Sequence, residues 1–291
     1  MFSVTQAPLK QLIEDAGAQF RARDLTGITI YMADQYGNWK RLTSKPHRNY
    51  ASVVLEPKMK DDLFGDVKEF LEGKEWYAQR GIPYRRGYLL FGTPGSGKTS
   101  SIHALASELG LDIYIVPLSL RAIDDAILSD LITSMPQACI LLYEDIDAAF
   151  GSRTAGEENA VPPQSGVTLS GLLNTIDGVQ AQEGCLLFAT TNHPEHLDPA
   201  LIRPGRMDIK IEYRHATQWQ AEQLFRLFYP VESSGEKLPV ERAARAFAQS
   251  IPESRLSVAQ LQGFLMRFKG HPEDAARDAK SWVEVELAGA S

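Results

Sequence analysis

Residues 92 to 99 read Gly92-Thr93-Pro94-Gly95-Ser96-Gly97-Lys98-Thr99, a glycine-rich turn closing on a lysine and a hydroxyl. A phosphate needs close backbone approach, which glycine permits, and a cluster of N–H donors, which a helix start supplies. There Lys98 would set a cation beside the β- and γ-phosphates of ATP, and Thr99 a hydroxyl on Mg²⁺. Ser100 follows in the same turn and joins the expected nucleotide contacts.

A second group, whose first acid Glu144 lies 46 residues beyond Lys98, is Ile140-Leu141-Leu142-Tyr143-Glu144-Asp145-Ile146-Asp147. Acids at the carboxyl end of a buried strand lie where parallel sheets bind their ligands. The usual order in this role is Asp then Glu, and here it is exchanged. By register Glu144 supports Mg²⁺, directly or through water, and Asp145 polarises the attacking water. Asn192, in Thr190-Thr191-Asn192-His193-Pro194, can hold that water or contact the γ-phosphate; the other reading is an Asx-turn before Pro194. Arg203 and Arg206, in Leu201-Ile202-Arg203-Pro204-Gly205-Arg206-Met207-Asp208, are suited to phosphate oxygens. His103, His193 and His196 lack clustered ligand spacing, so no metal is expected beyond the nucleotide's Mg²⁺.

The elements that must carry these groups follow a β-α alternation. Tyr88–Phe91, Ile113–Val116, Ile140–Tyr143 and Leu186–Thr190 are short apolar strands. Helices between them carry Ile102, Leu105 and Leu109, then Ile123, Ile127, Leu128 and Leu131, then Leu169, Leu172, Leu173 and Ile176. Continuously apolar strands of this kind predict a parallel sheet covered on both faces. The polar stretch from 152 to 167 is expected to be a mobile loop. Beyond Thr217 only helices are expected, two of them opened by the capping boxes Thr217/Gln220 and Ser257/Gln260. Upstream, Leu9, Leu12, Ile13 and Ala16 fit a short helix. Ile28–Met32 and Trp39–Leu42 fit a hairpin turning at Gly37, and Ser52–Leu55 a third strand. A helix is expected from about Lys58 to Gly73.

Composition bounds the rest. At 291 residues, 44% hydrophobic and 23% charged, the chain is in the ordinary globular range. A net charge of −7 argues against nucleic-acid binding driven by bulk charge. Cys139 and Cys185 lie in apolar runs, which excludes a disulfide framework and predicts buried, reduced thiols. No apolar stretch has the roughly 18–20 residues of a membrane helix.

The four chemical groups, in this order, resemble the AAA family of ATPases from about Gly81 to Gly270. Trp76 to Tyr88, Glu144 to Phe150, Ser170 to Val179 and Ala259 to Gly263 resemble its mitochondrial chaperone BCS1 branch, where the exchanged Glu-Asp pair is also usual. The resemblance implies an α/β P-loop core with strand order 5-1-4-3-2 over residues 58–214 and a helical lid over 215–291. It further implies a family-specific β-containing domain over 1–57, made of a helix (1–27) and strands (28–57). It implies a homo-oligomeric ring that hydrolyses ATP on the matrix side of the mitochondrial inner membrane, joined to that membrane only by a segment outside this chain. The implied cargo is the folded Rieske iron–sulfur subunit of respiratory complex III. The segment Pro117 to Asp124 has no aromatic where threading relatives carry one, which fits folded cargo. Two other classes remain open: a nucleotide-dependent scaffold, including a paralogue with another protein substrate, and a small-molecule kinase.

Overall fold

The computed structural model describes residues 27–150, 166–178, 181–230 and 237–289. The expected helix before Gly27 and most of the expected loop at 152–167 lie outside them. Seven strands form one sheet: β1 (Gly27–Ala33), β2 (Trp39–Pro46), β3 (Arg86–Gly92), β4 (Ile113–Ile115), β5 (Ile140–Tyr143), β6 (Leu186–Thr191) and β7 (Ile209–Tyr213). Their order is β2-β1-β4-β5-β6-β3-β7. The last five of these, read from the β7 edge, give the expected 5-1-4-3-2, with Ile209–Tyr213 as the fifth strand.

The central strands β3 to β6 are buried on both faces because alternate side chains feed two cores, whereas β2 at one edge is exposed. On one face Tyr88, Leu90, Ile140, Leu142 and Phe188 meet helices α1 (Pro57–Glu72) and α3 (Lys98–Leu109). On the other, Leu89, Leu141, Tyr143 and Ala189 meet α4 (Asp125–Thr133), α5 (Ile146–Phe150) and α6 (Leu169–Asp177). The short helix α2 (Lys74–Arg80) links α1 to β3. A third core lies in the lid, built from α7 (Gln218–Phe228), α8 (Lys237–Ser250), α9 (Val258–Leu265) and α10 (Pro272–Gly289), with Val54 packed against it. Both expected capping boxes are formed, at the starts of α7 and α9.

Two expectations about the amino-terminal part need correction. The hairpin is not a sheet apart from the core. β1 pairs parallel with β4, Ile30 opposite Ile113 and Met32 opposite Ile115, so β1 and β2 extend the P-loop sheet. The hairpin turn itself is as expected: Gly37 has φ +76°, and Asp34 Oδ1 accepts the N–H groups of Tyr36 and Asn38. Ser52–Leu55 is not a strand. A 3₁₀ turn at Tyr50–Ser52 leads into irregular backbone. Val53 and Leu55 are buried, which imitates strand alternation. With no strand beside them, two of their carbonyls are taken by side chains: Lys60 Nζ donates to Val53 O and Gln220 Nε2 to Val54 O.

Candidate functional site

β3 ends in Gly92, and α3 starts at Lys98. The loop between them depends on glycine at two points where the backbone is left-handed, Gly95 (φ +70°) and Gly97 (φ +103°). The first bond of α3 runs from Ser101 N–H to the Gly97 carbonyl. The N–H groups of Lys98, Thr99 and Ser100 therefore have no intrahelical acceptor, the donor set an anion takes. The loop is anchored on both sides. Thr93 N–H donates to Tyr213 O at the end of β7, and Ala259 N–H, in the first turn of lid helix α9, donates to Gly95 O at 3.0 Å. A groove of about 780 Å³ reaches Ser96 between α1, β7 and the lid, which is room for a nucleotide-sized ligand.

Lys98 is buried, and its Nζ donates to Gly92 O at 2.9 Å, Thr93 O at 2.8 Å and Asn192 Oδ1 at 2.7 Å. Asn192 in turn donates through Nδ2 to Asp145 Oδ1 at 3.3 Å. Burial pushes the Lys98 ammonium below its ordinary range, while the charges of Asp145 and Asp147 oppose that shift. The parallel ladder explains the meeting: β3, β6 and β5 are adjacent, so the loop after β3, the end of β6 and the acids after β5 share one edge of the sheet. Glu144 is exposed and makes no hydrogen bond or ion pair among the described residues.

Sequence reasoning did not assign Thr190, Thr191 or Asp147. Thr190 Oγ1 accepts the Asp145 N–H at 3.1 Å, and Thr191 Oγ1 donates to Asp147 Oδ1 at 2.5 Å. The only signal was a pair of hydroxyls at the end of a buried strand. A second omission concerns the histidines. The 3₁₀ turn at Pro194–His196 brings one ligand atom each from His193, Glu195 and His196 within 4.8 Å of one another, a cluster not read from their spacing.

The two arginines are set apart from this edge. Their turn precedes β7 and lies against the start of β3: a Cβ on Gly87 would meet the Arg206 carbonyl. Gly87 and Gly92 are five residues apart along β3, about 17 Å of strand. Arg203 is exposed. Arg206 is drawn inward, its Nε donating to Asp177 Oδ2 at 2.5 Å and its Nη1 to Ala200 O at 2.7 Å.

Comparison with known proteins decides the family. Residues 88–215 match the ATPase family associated with various cellular activities (AAA), and residues 218–281 match the Mitochondrial chaperone BCS1-like, ATPase lid domain. The chain belongs to the AAA ATPase family. Its lid places this AAA ATPase in the BCS1-like branch. Among relatives, the probable mitochondrial chaperone BCS1-A of Dictyostelium discoideum is 43% identical over 283 residues, which is 96% of this chain and 66% of the relative. The mitochondrial chaperone BCS1 of Danio rerio is 47% identical over 256 residues, 87% of this chain and 60% of the relative. That of Homo sapiens is 44% identical over 234 residues, 79% and 54%. The AAA ATPase described here thus spans between about half and two thirds of the length of these relatives. No helix among its described residues is long and apolar enough to cross a membrane.

Proposed function

We propose that this chain hydrolyses ATP within a ring of its own copies and uses the energy to move a folded protein. The observation that carries hydrolysis is the bonded series from Lys98 through Asn192 to Asp145, at 2.7 and 3.3 Å. It joins the phosphate cation to the acid that accepts a proton from water. Gly92, Thr93, Pro94, Gly95, Ser96, Gly97, Lys98, Thr99 and Ser100 cradle the phosphates. Thr99 and Glu144 would hold Mg²⁺, which when bound offsets phosphate charge. Asn192 orients the water, and Asp145 is the general base.

Arg203 completes the site of a neighbouring copy. Its turn is about a strand length from its own P-loop, beyond the reach of an arginine side chain. The ring reading rests on that separation. The bond from Ala259 N–H to Gly95 O gives the P-loop a direct handle on the lid, so a change at the phosphates tilts lid against core.

The cargo is read from the resemblance: the folded Rieske iron–sulfur subunit of respiratory complex III, carried across the mitochondrial inner membrane from the matrix side. The names of the relatives support a mitochondrial chaperone. The exposed stretch Ser119–Ala122 carries no aromatic to grip an extended chain, which favours folded cargo.

The test is ATP binding and phosphate release without any added acceptor. Lys98→Ala should bind no nucleotide. Asp145→Asn should bind ATP yet turn over roughly 10²-fold slower or worse. Near-normal turnover in Asp145→Asn would move the base to Glu144. Binding without phosphate release in the unaltered chain would make it a nucleotide-dependent scaffold, and release only with an acceptor would make it a kinase.

A further inference from the structure

Asp145 has φ +45°, in the left-handed region that non-glycine residues seldom enter. It follows the end of β5, whose last ladder pair is Tyr143 opposite Ala189 of β6. Beyond that pair no strand carbonyl meets the Asp145 N–H. The Thr190 hydroxyl takes it instead, at 3.1 Å, from a side chain that is 2% exposed and so shielded from competing water. Thr191, fully buried, ties down the other end of the same turn by donating to Asp147 and accepting the His193 N–H at 3.0 Å. Consecutive hydroxyls on one strand thus hold both ends of the Asp145–Asp147 turn. Between them Asn192 holds the Asp145 carboxylate.

An aspartate is one methylene shorter than the glutamate usual for a base at this position, so its backbone must be set closer and held more firmly to reach the same water. We infer that Thr190 is a positioning residue for ATP hydrolysis: its hydroxyl holds Asp145 in the left-handed turn that brings the short carboxylate to Asn192 and the attacking water. This rests on the reading of Asp145 as the general base.

The experiment compares kcat, KM, ATP affinity and thermal midpoint in Thr190→Val, Thr190→Ser and Asp145→Asn. Valine keeps the shape and removes the acceptor; serine keeps the acceptor. Thr190→Val should lower kcat on the order of 10- to 100-fold with ATP affinity and KM within about twofold, and Thr190→Ser should recover most of the loss. Three results would overturn the inference: near-normal kcat in Thr190→Val, Thr190→Ser as slow as Thr190→Val, or loss of ATP binding in Thr190→Val, which would make the threonine structural. Asp145→Asn separates the two levels. If it keeps turnover, the base assignment itself fails; if it is inactive while Thr190→Val is normal, only the role of Thr190 fails.

Discussion

Arg206 is bonded to Asp177 of its own chain, Nε to Oδ2 at 2.5 Å, while the Arg203 side chain on the same turn makes no hydrogen bond or ion pair among the described residues. Two residues of one type, three positions apart, thus differ: Arg206 is spent on a bond within the subunit, and the Arg203 side chain is left exposed. Asp177 ends α6, so its pair with Arg206 ties that helix to the turn before β7.

Arg206→Ala should therefore cost about 1.5–3 kcal/mol of unfolding free energy, because it leaves a partly buried carboxylate without its charged donor. Arg203→Ala should stay within about 0.5 kcal/mol of the unaltered chain. Urea unfolding of the two variants, side by side, checks this. Equal losses would mean that the two arginines share one role.

Acid should weaken the fold through His103. Burial, aided by the charges of Lys45 and Arg48, pushes its imidazole down to about 4, and Lys45 Nζ lies 3.0 Å from Nδ1. The folded state thus favours the neutral ring, whereas an unfolded histidine titrates near 6.5. This contribution is complete above about pH 6.5 and falls as pH drops toward 4, by up to about 1.4 kcal/mol per unit. Carboxylates titrate in the same range, so the comparison is with His103→Gln, which has no charge to gain. Its denaturation midpoint should fall less between pH 7 and pH 5. Parallel curves would remove His103 from the acid response.

Cys139 and Cys185 open adjacent strands and lie with their sulfurs 3.3 Å apart, both buried. The bond between the two thiols, together with burial, holds the Cys139 thiol well above its usual range. Alkylation of the native protein should be slow for both and should follow unfolding rather than thiol chemistry. Rapid labelling of either one would contradict the packing of β5 against β6.

The core was legible where chemistry and periodicity agree over consecutive residues. Ile140–Tyr143 is buried throughout, and Gly92 to Thr99 has little choice of structure between a strand and a helix. β7 was harder: in Ile-Lys-Ile-Glu-Tyr only Ile211 and Tyr213 are buried, as suits an edge strand. The hairpin alternates as any hairpin would, and nothing local says that β1 will lie along β4. Thr190 reads as one more residue of a buried strand until the Asp145 N–H is placed beside it. Arg203 and Arg206 are alike in sequence, and what distinguishes their surroundings is the pairing of Arg206 with the Ala200 carbonyl and with Asp177, 29 residues upstream.

The central claim is a hydrolytic site completed by a second copy. Its most direct measurement mixes two chains that are each inactive alone, Arg203→Ala and Lys98→Ala, under conditions where light scattering confirms that they co-assemble. An arginine supplied in trans is worth about 10³–10⁵ in rate in related phosphoryl transfers. Interfaces that pair the intact pocket of the first chain with the intact Arg203 of the second should therefore regain phosphate release. A co-assembled mixture that stays inactive, beside an unaltered chain with full specific activity as a monomer, would contradict the claim.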